Sequence, residues 1–96
     1  MLYKNKRNCI ERFDDGDAVI LDDNTHNTHI LNSTALQLYD LCEGKTKAAI
    51  LECFAELYQD EIAQNPEIYT QIKSDMEEML CDFIEKGIVY GKENNS

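Results

Sequence analysis

The fold is decided by the stretch THILNSTALQLYDLCEG, residues 28–44, which changes from strand to helix at a single point. Residues 28–31 are typical of a short strand. The next three residues, Asn32, Ser33 and Thr34, have side-chain oxygens that can accept the amide hydrogens of a helix's first turn. The helix that follows has one apolar face, and Gly44 ends it by taking the left-handed conformation. Its apolar residues at i, i+3, i+4 and i+7 are Ala35, Leu38, Tyr39 and Cys42.

The residues before this stretch predict strands. Residues 8–13 alternate in the manner of a half-buried strand, and residues 18–21 form a short apolar run that is typical of a central strand. Turn-forming residues at 14–17 and a polar hairpin loop at 22–27 separate the strands. We therefore expect three antiparallel strands. Because three short strands cannot bury a face alone, helices must cover one side.

The residues after it predict helices. Thr46 is expected to cap a second helix, and residues 60–65 read as a polar connection. Pro66 can begin a third and longest helix, residues 66–86, which Gly87 ends. Residues 88–90 predict a short final strand and residues 92–96 a disordered tail. The apolar faces of the two helices contain Ile50, Cys53, Phe54, Leu57 and Tyr58, and then Ile68, Ile72, Met76, Met79, Leu80, Phe83 and Ile84.

Composition indicates one small domain, residues 1–91, of the α+β class. The chain has 96 residues, of which 43% are hydrophobic. No apolar run reaches the roughly 18 residues of a membrane span, and residues 1–12 are too polar for a signal peptide, so we expect a cytoplasmic protein without membrane contact. The four cysteines lack zinc-ligand spacing and are expected to be reduced core thiols, and His26 with His29 supplies too few ligands for a metal site.

The charge argues against nucleic acid as a partner. The net charge is -10, and after residue 12 five basic residues stand against eighteen acidic ones. Such a surface repels phosphate backbones, which are bound by Lys and Arg. A winged-helix regulator of DNA is the alternative, but residues 66–86 carry two lysines against six acidic residues.

The sequence contains no motif that predicts catalysis. None of the four glycines belongs to a phosphate-binding loop, and Cys81, the candidate nucleophile of a thiol enzyme, has no base beside it in sequence. We therefore expect neither catalytic residues nor a cofactor. An exposed strand edge and a long helix with two flexible methionines favour peptide binding instead.

The order of elements resembles the PqqD-like family. Three strands precede LNSTALQLYDLCEGKT, residues 31–46; a helix with Ile50, Phe54 and Tyr58 follows, and a long helix closes in LCDFIEKGIV, residues 80–89. The resemblance implies a winged helix-turn-helix-like fold, with a three-stranded antiparallel sheet followed by three helices. It also implies a freestanding recognition element that binds the leader of a ribosomally made precursor peptide. The partner would be a modifying enzyme such as a radical S-adenosylmethionine protein, a cyclase or a leader peptidase.

The layout predicts where a leader peptide binds. It would add as a strand to residues 28–31, with its apolar side chains in the groove between that strand and the third helix. On that helix Asp75, Asp82 and Lys86 lie along one edge of the apolar face, while Glu77, Glu78 and Glu85 lie away from it. Core packing is the alternative role for the apolar candidates, and a homodimer or assembly protein joined through the same edge is the alternative function. The expected contacts are Thr28, His29, Ile30, Leu31, Ile72, Asp75, Met76, Met79, Asp82, Phe83 and Lys86.

Overall fold

The computed structural model describes residues 1–5, 8–22 and 26–91, and these form an α+β domain. A three-stranded antiparallel sheet is followed by helices, as the sequence predicts. The predicted tail, residues 92–96, and residues 23–25 of the predicted hairpin loop lie outside the described residues. The elements in chain order are β1 Leu2–Lys4, β2 Asn8–Arg12, β3 Ala18–Asp22, β4 Thr28–Leu31, α1 Ser33–Leu41, α2 Lys47–Glu56, α3 Gln59–Gln64, α4 Ile68–Lys86 and β5 Val89–Gly91.

The main sheet has the strand order β2-β3-β4, so β3 is central and β4 lies at an edge. Ala18 of β3 pairs with Leu31 of β4, and both side chains are in the core. The prediction that β2 is half buried is wrong, because four of its five residues are exposed. Two of the three β2 side chains on the core side are polar, and one of them, Arg12, forms an exposed ion pair with Asp40 at 2.8 Å instead of packing inward.

A second, two-stranded sheet joins the two ends of the described chain. β1 pairs antiparallel with β5, which confirms the predicted final strand, whereas β1 itself has no signal in the sequence. Leu2 is buried, its amide donates to the Lys45 carbonyl at 2.8 Å, and its carbonyl accepts from Gly44 at 2.8 Å. These contacts hold β1 against the turn between α1 and α2.

The predicted starts of α1 and α2 and the end of α4 are confirmed, the other predicted ends differ, and one helix is additional. α1 ends at Leu41 before Gly44, because the Cys42 amide already bonds to the Tyr39 carbonyl. α2 ends at Glu56, before Leu57 and Tyr58, and α4 begins at Ile68 and not at Pro66. The Asn32 side chain accepts a hydrogen bond from the Ala35 amide at 2.8 Å and begins α1, and Gly87, with φ of 79°, ends α4. The predicted polar connection at residues 60–65 is instead largely the short helix α3. It forms because Ile62 packs against the core, which gives this polar segment an apolar contact that its composition does not indicate.

The core lies where the sheet, α1, α2 and α4 meet. Its largest fully buried side chains include Phe54, Phe83, Ile20 and Leu38, and the Tyr39 and Phe83 rings pack edge to face at 6.2 Å. In the described part of the chain, no helix has the length and apolar character that crossing a membrane requires.

The hydrogen bond that caps the start of α2 can be tested by substitution. Thr46 Oγ1 accepts the Ala49 amide hydrogen at 3.1 Å. Thr46→Ala should lower the free energy of unfolding by about 1 kcal/mol, which is roughly 4–8 °C in melting temperature for a domain of this size. Thr46→Ser keeps the acceptor and should melt within about 2 °C of the parent, a tolerance well below that shift. Equal melting temperatures for Thr46→Ala and the parent would contradict the role of this cap.

Candidate functional site

The outer edge of β4 presents main-chain groups away from the sheet. The Asp22 amide donates to the Asn27 carbonyl at 2.9 Å, and these residues are directly opposite in the register that continues through Ile20 and His29. Hydrogen-bonded and non-hydrogen-bonded pairs alternate along an antiparallel ladder. His29 and Leu31 therefore bond to β3, whereas the amides and carbonyls of Thr28 and Ile30 point to the open edge.

The side chains of β4 project alternately to the two faces of the sheet, perpendicular to its main-chain hydrogen bonds. Leu31 is in the core and His29, half-buried, lies on the same side, with an Nε2 atom that is enclosed and has no hydrogen-bond partner within the described residues. Ile30 lies on the other side and is 72% exposed. A large aliphatic side chain on an edge strand at this exposure is typical of an interaction site.

An open pocket lies beside the end of β4, where α1 begins. Its volume is about 430 Å³. Its walls come from three helices that tertiary packing brings together. The lining residues are Asn32 and Thr34 at the start of α1, Phe54 of α2, Tyr58 just before α3, and Ile72, Asp75, Glu78 and Met79 of α4. Because Asn32 directly follows Leu31, the pocket lies at the carboxyl end of β4.

The pocket has an apolar floor and an acidic rim. The Phe54 and Tyr58 rings pack edge to face at 5.4 Å, and Ile72 is buried. The rim carries the carboxylates of Asp75 and Glu78; the Gln71 amide donates to Asp75 at 2.9 Å. No Lys or Arg is among the described residues that line this pocket. Such a site can hold an apolar side chain that has a cationic neighbour.

The structure brings some of the predicted residues together and separates others. Ile72, Asp75 and Met79 line the pocket, and Thr28 and Ile30 form the open edge of β4. Asp82 and Lys86 are outside the pocket and form an ion pair of 2.8 Å with each other. Of the remaining predicted contacts, His29 is half-buried on the core side of β4. The other three are core residues with less than 4% exposure: Leu31, Met76 and Phe83.

Five lining residues were not predicted: Asn32, Thr34, Phe54, Tyr58 and Glu78. In the sequence, Asn32 and Thr34 have the pattern of helix-capping residues, and Phe54 and Tyr58 have the pattern of a core face. Neither pattern shows which helices meet at the pocket. Glu78 could have been found. It lies three residues after Asp75, so both carboxylates share one flank of α4, and the exposed Glu78 borders the pocket although it lies away from the apolar face.

The cysteines do not form a cluster. All four are free, but the prediction that they are core thiols is wrong for three of them. Only Cys42 is buried in the core, whereas Cys53 is half-buried and Cys9 and Cys81 lie on exposed faces of β2 and α4. Burial raises the pKa of the Cys42 thiol to about 11, so this group stays protonated at neutral pH. Within residues 1–5, 8–22 and 26–91, no group of three or more His, Cys, Asp or Glu side chains could hold a metal ion.

Comparison with solved structures shows the same fold in another protein. The structure of TbiB1 in complex with the TbiA(beta) leader peptide superimposes with a TM-score of 0.70 and 17% sequence identity, over 96% of this chain and 99% of that chain. No curated protein matches the sequence. The family model of coenzyme PQQ synthesis protein D, PqqD, matches residues 17–89, which include β3, β4 and all four of the described helices. This chain therefore belongs to the PqqD family.

Proposed function

We propose that this chain binds the leader segment of a ribosomally made precursor peptide and presents it to a modifying enzyme or a leader peptidase. Membership of the PqqD family supports this role, and so does a fold shared with a protein whose structure holds a leader peptide. The observation that carries the proposal is the open edge of β4 beside an apolar pocket with an acidic rim.

The β4 edge supplies affinity that does not depend on the leader's sequence. An added strand would receive hydrogen bonds from the Thr28 and Ile30 amides and donate to their carbonyls. These groups already point away from β3, so the existing ladder need not change. Binding would extend the sheet from three strands to four.

The pocket supplies selectivity. A leader strand has side chains on alternate faces, and those on the helix side can reach the floor formed by Phe54, Ile72 and Met79. An aromatic or aliphatic side chain would be buried there, while Asp75 and Glu78 would favour Lys or Arg beside it. We therefore propose a leader with an apolar anchor and a basic neighbour.

Removing the rim charges should weaken binding and change its salt dependence. For a leader with Lys or Arg beside its anchor, Asp75→Asn combined with Glu78→Gln should lower affinity roughly threefold to tenfold, because each exposed charge pair contributes about 0.2–1 kcal/mol. The parent should lose affinity between 50 and 500 mM NaCl and the double variant should not. Glu77→Gln, on the outer side of α4, is the matched control. A flat salt response in the parent would contradict a role for these charges.

The proposed function is tested by titrating the leader of a precursor peptide encoded beside this gene into the labelled chain. Saturable one-to-one binding is expected, and a scrambled leader of the same composition should not bind. Failure of the intact leader to bind would overturn the proposal.

We also propose that the chain acts without catalysis of its own and in the cytoplasm. The buried, protonated Cys42 supports the first point, because a thiol in that state is a poor nucleophile. The free cysteines support the second, because thiols stay reduced in that compartment. Alkylation of the exposed Cys9 and Cys81 should leave leader binding unchanged; its loss would revive a functional role for those thiols.

A homodimer joined through β4 is the second candidate. The same open edge favours it, since two copies could pair their Thr28 and Ile30 amides and carbonyls. Leader and second copy would then compete for one edge. Mass measurement with and without the leader distinguishes the two functions: a dimer that persists at saturating leader would place the peptide elsewhere.

A further inference from the structure

A second apolar cleft lies on the opposite side of α2 from the pocket proposed to bind the leader, called here the leader pocket. Its apolar walls are Ala55 of α2, Ile62 and Ala63 of α3, and Tyr69 of α4, and its volume is about 560 Å³. Tyr69 is 40% exposed although it sits at the junction of three helices. An exposed aromatic side chain in a cleft is the type of residue that contributes most to protein interfaces.

The charged residues that line this cleft are acidic. They are Glu52 and Glu56, and no Lys or Arg is among the described lining residues; Lys47 and Lys73 flank the segment that forms the walls. The outer face of α4 is also acidic, but its hollow is lined by Glu77, Glu85 and other polar residues without a large apolar side chain. Apolar surface and an acidic lining are therefore combined at the α2–α3 end.

The two binding regions can be occupied at the same time. Phe54 of α2 lines the leader pocket, whereas Glu52, Ala55 and Glu56 line the cleft from the other side of that helix. A protein bound at the cleft would therefore leave the leader pocket and the β4 edge accessible.

From this arrangement we propose that the cleft formed by α2, α3 and α4 docks a partner protein whose surface presents Lys or Arg around an apolar side chain. The inference rests on the proposed function, because a domain that delivers a leader needs a second contact with the protein that receives it. The acidic rim would steer and orient the basic partner, and Tyr69 would supply the buried centre of the contact.

The test uses the full chain loaded with the leader and the modifying enzyme encoded beside this gene. Glu52→Lys with Glu56→Lys should lower affinity for the enzyme at least tenfold while leader affinity stays within twofold. Tyr69→Ala should act in the same direction. Glu77→Lys with Glu85→Lys reverses the same number of charges on α4 and should change enzyme affinity less than threefold.

The outcomes separate this inference from the proposed function. If the leader does not bind the parent chain, the proposed function fails and the inference with it. If the leader binds but the enzyme does not bind the loaded chain, leader binding stands, while the inference and delivery to that enzyme are overturned. The inference is also overturned if the enzyme binds the Glu52/Glu56 variant as tightly as the parent, or if the α4 control weakens it equally.

Discussion

Met79→Glu should lower leader affinity by about 100-fold or more. Met79 lines the pocket together with Ile72, and it is half-buried against the core. A glutamate there would place a third carboxylate beside Asp75 and Glu78 and remove part of the apolar floor. Leaving an unpaired charge in such a contact costs about 3 kcal/mol, and each 1.4 kcal/mol is a factor of ten in affinity.

The conservative variant shows whether chemistry or folding is responsible. Met79→Leu keeps the volume and apolar character and should bind within about threefold of the parent, because volume-conserving swaps usually cost little. Calorimetric titration gives the affinities, and circular dichroism checks that Met79→Glu is folded. A folded Met79→Glu variant with parental affinity would show that the leader does not use this pocket.

Ile30→Pro should lower leader affinity at least about tenfold with little loss of stability. The Ile30 amide faces the open edge, so proline deletes a donor to the leader and no hydrogen bond to β3. Proline is tolerated in sheets only on such edge positions. The loss of one main-chain hydrogen bond, with the ring blocking close approach of a strand, accounts for at least about 1.4 kcal/mol.

Two further substitutions control for the side chain and for position. Ile30→Val keeps the amide and a β-branched side chain, so leader binding should remain within about threefold. His29→Pro removes an amide that bonds to β3 and should lower the melting temperature more than Ile30→Pro does. Unchanged binding by a folded Ile30→Pro variant would exclude strand addition at this residue.

Local signals in the sequence were sufficient to predict most elements of the fold. Alternating or apolar runs locate β2, β3 and β4, Asn32 and Thr46 mark the starts of two helices, and Gly87 marks the end of α4. Strand β1 was missed because three residues are too few to show a period, and its pairing with β5 is set by contacts nearly ninety positions apart. The exposure of β2 was missed because alternation identifies a strand without identifying what covers it.

The sequence predicts which residues of one helix share a face of the candidate site, but it does not predict which helices meet there. The periodicity of α4 places Ile72, Asp75 and Met79 at one flank, and in the structure all three line one pocket. Periodicity cannot distinguish an apolar side chain at a pocket from one in the core. Met76 and Phe83 were predicted to contact the leader but are in the core. Phe54 of α2 and Tyr58, in the turn that follows α2, close the pocket. Their position depends on helix packing, for which the sequence of one helix carries no signal.

Amide hydrogen exchange, resolved by residue with and without saturating leader, tests strand addition to β4 most directly. In the unbound chain the Thr28 and Ile30 amides face solvent at the open edge and should exchange quickly. Leader binding should slow both of them, while the Ile10 and Arg12 amides at the opposite edge of the sheet, on β2, keep their rates. Unchanged exchange at Thr28 and Ile30 with bound leader, or protection that appears on β2 instead, would contradict the proposal.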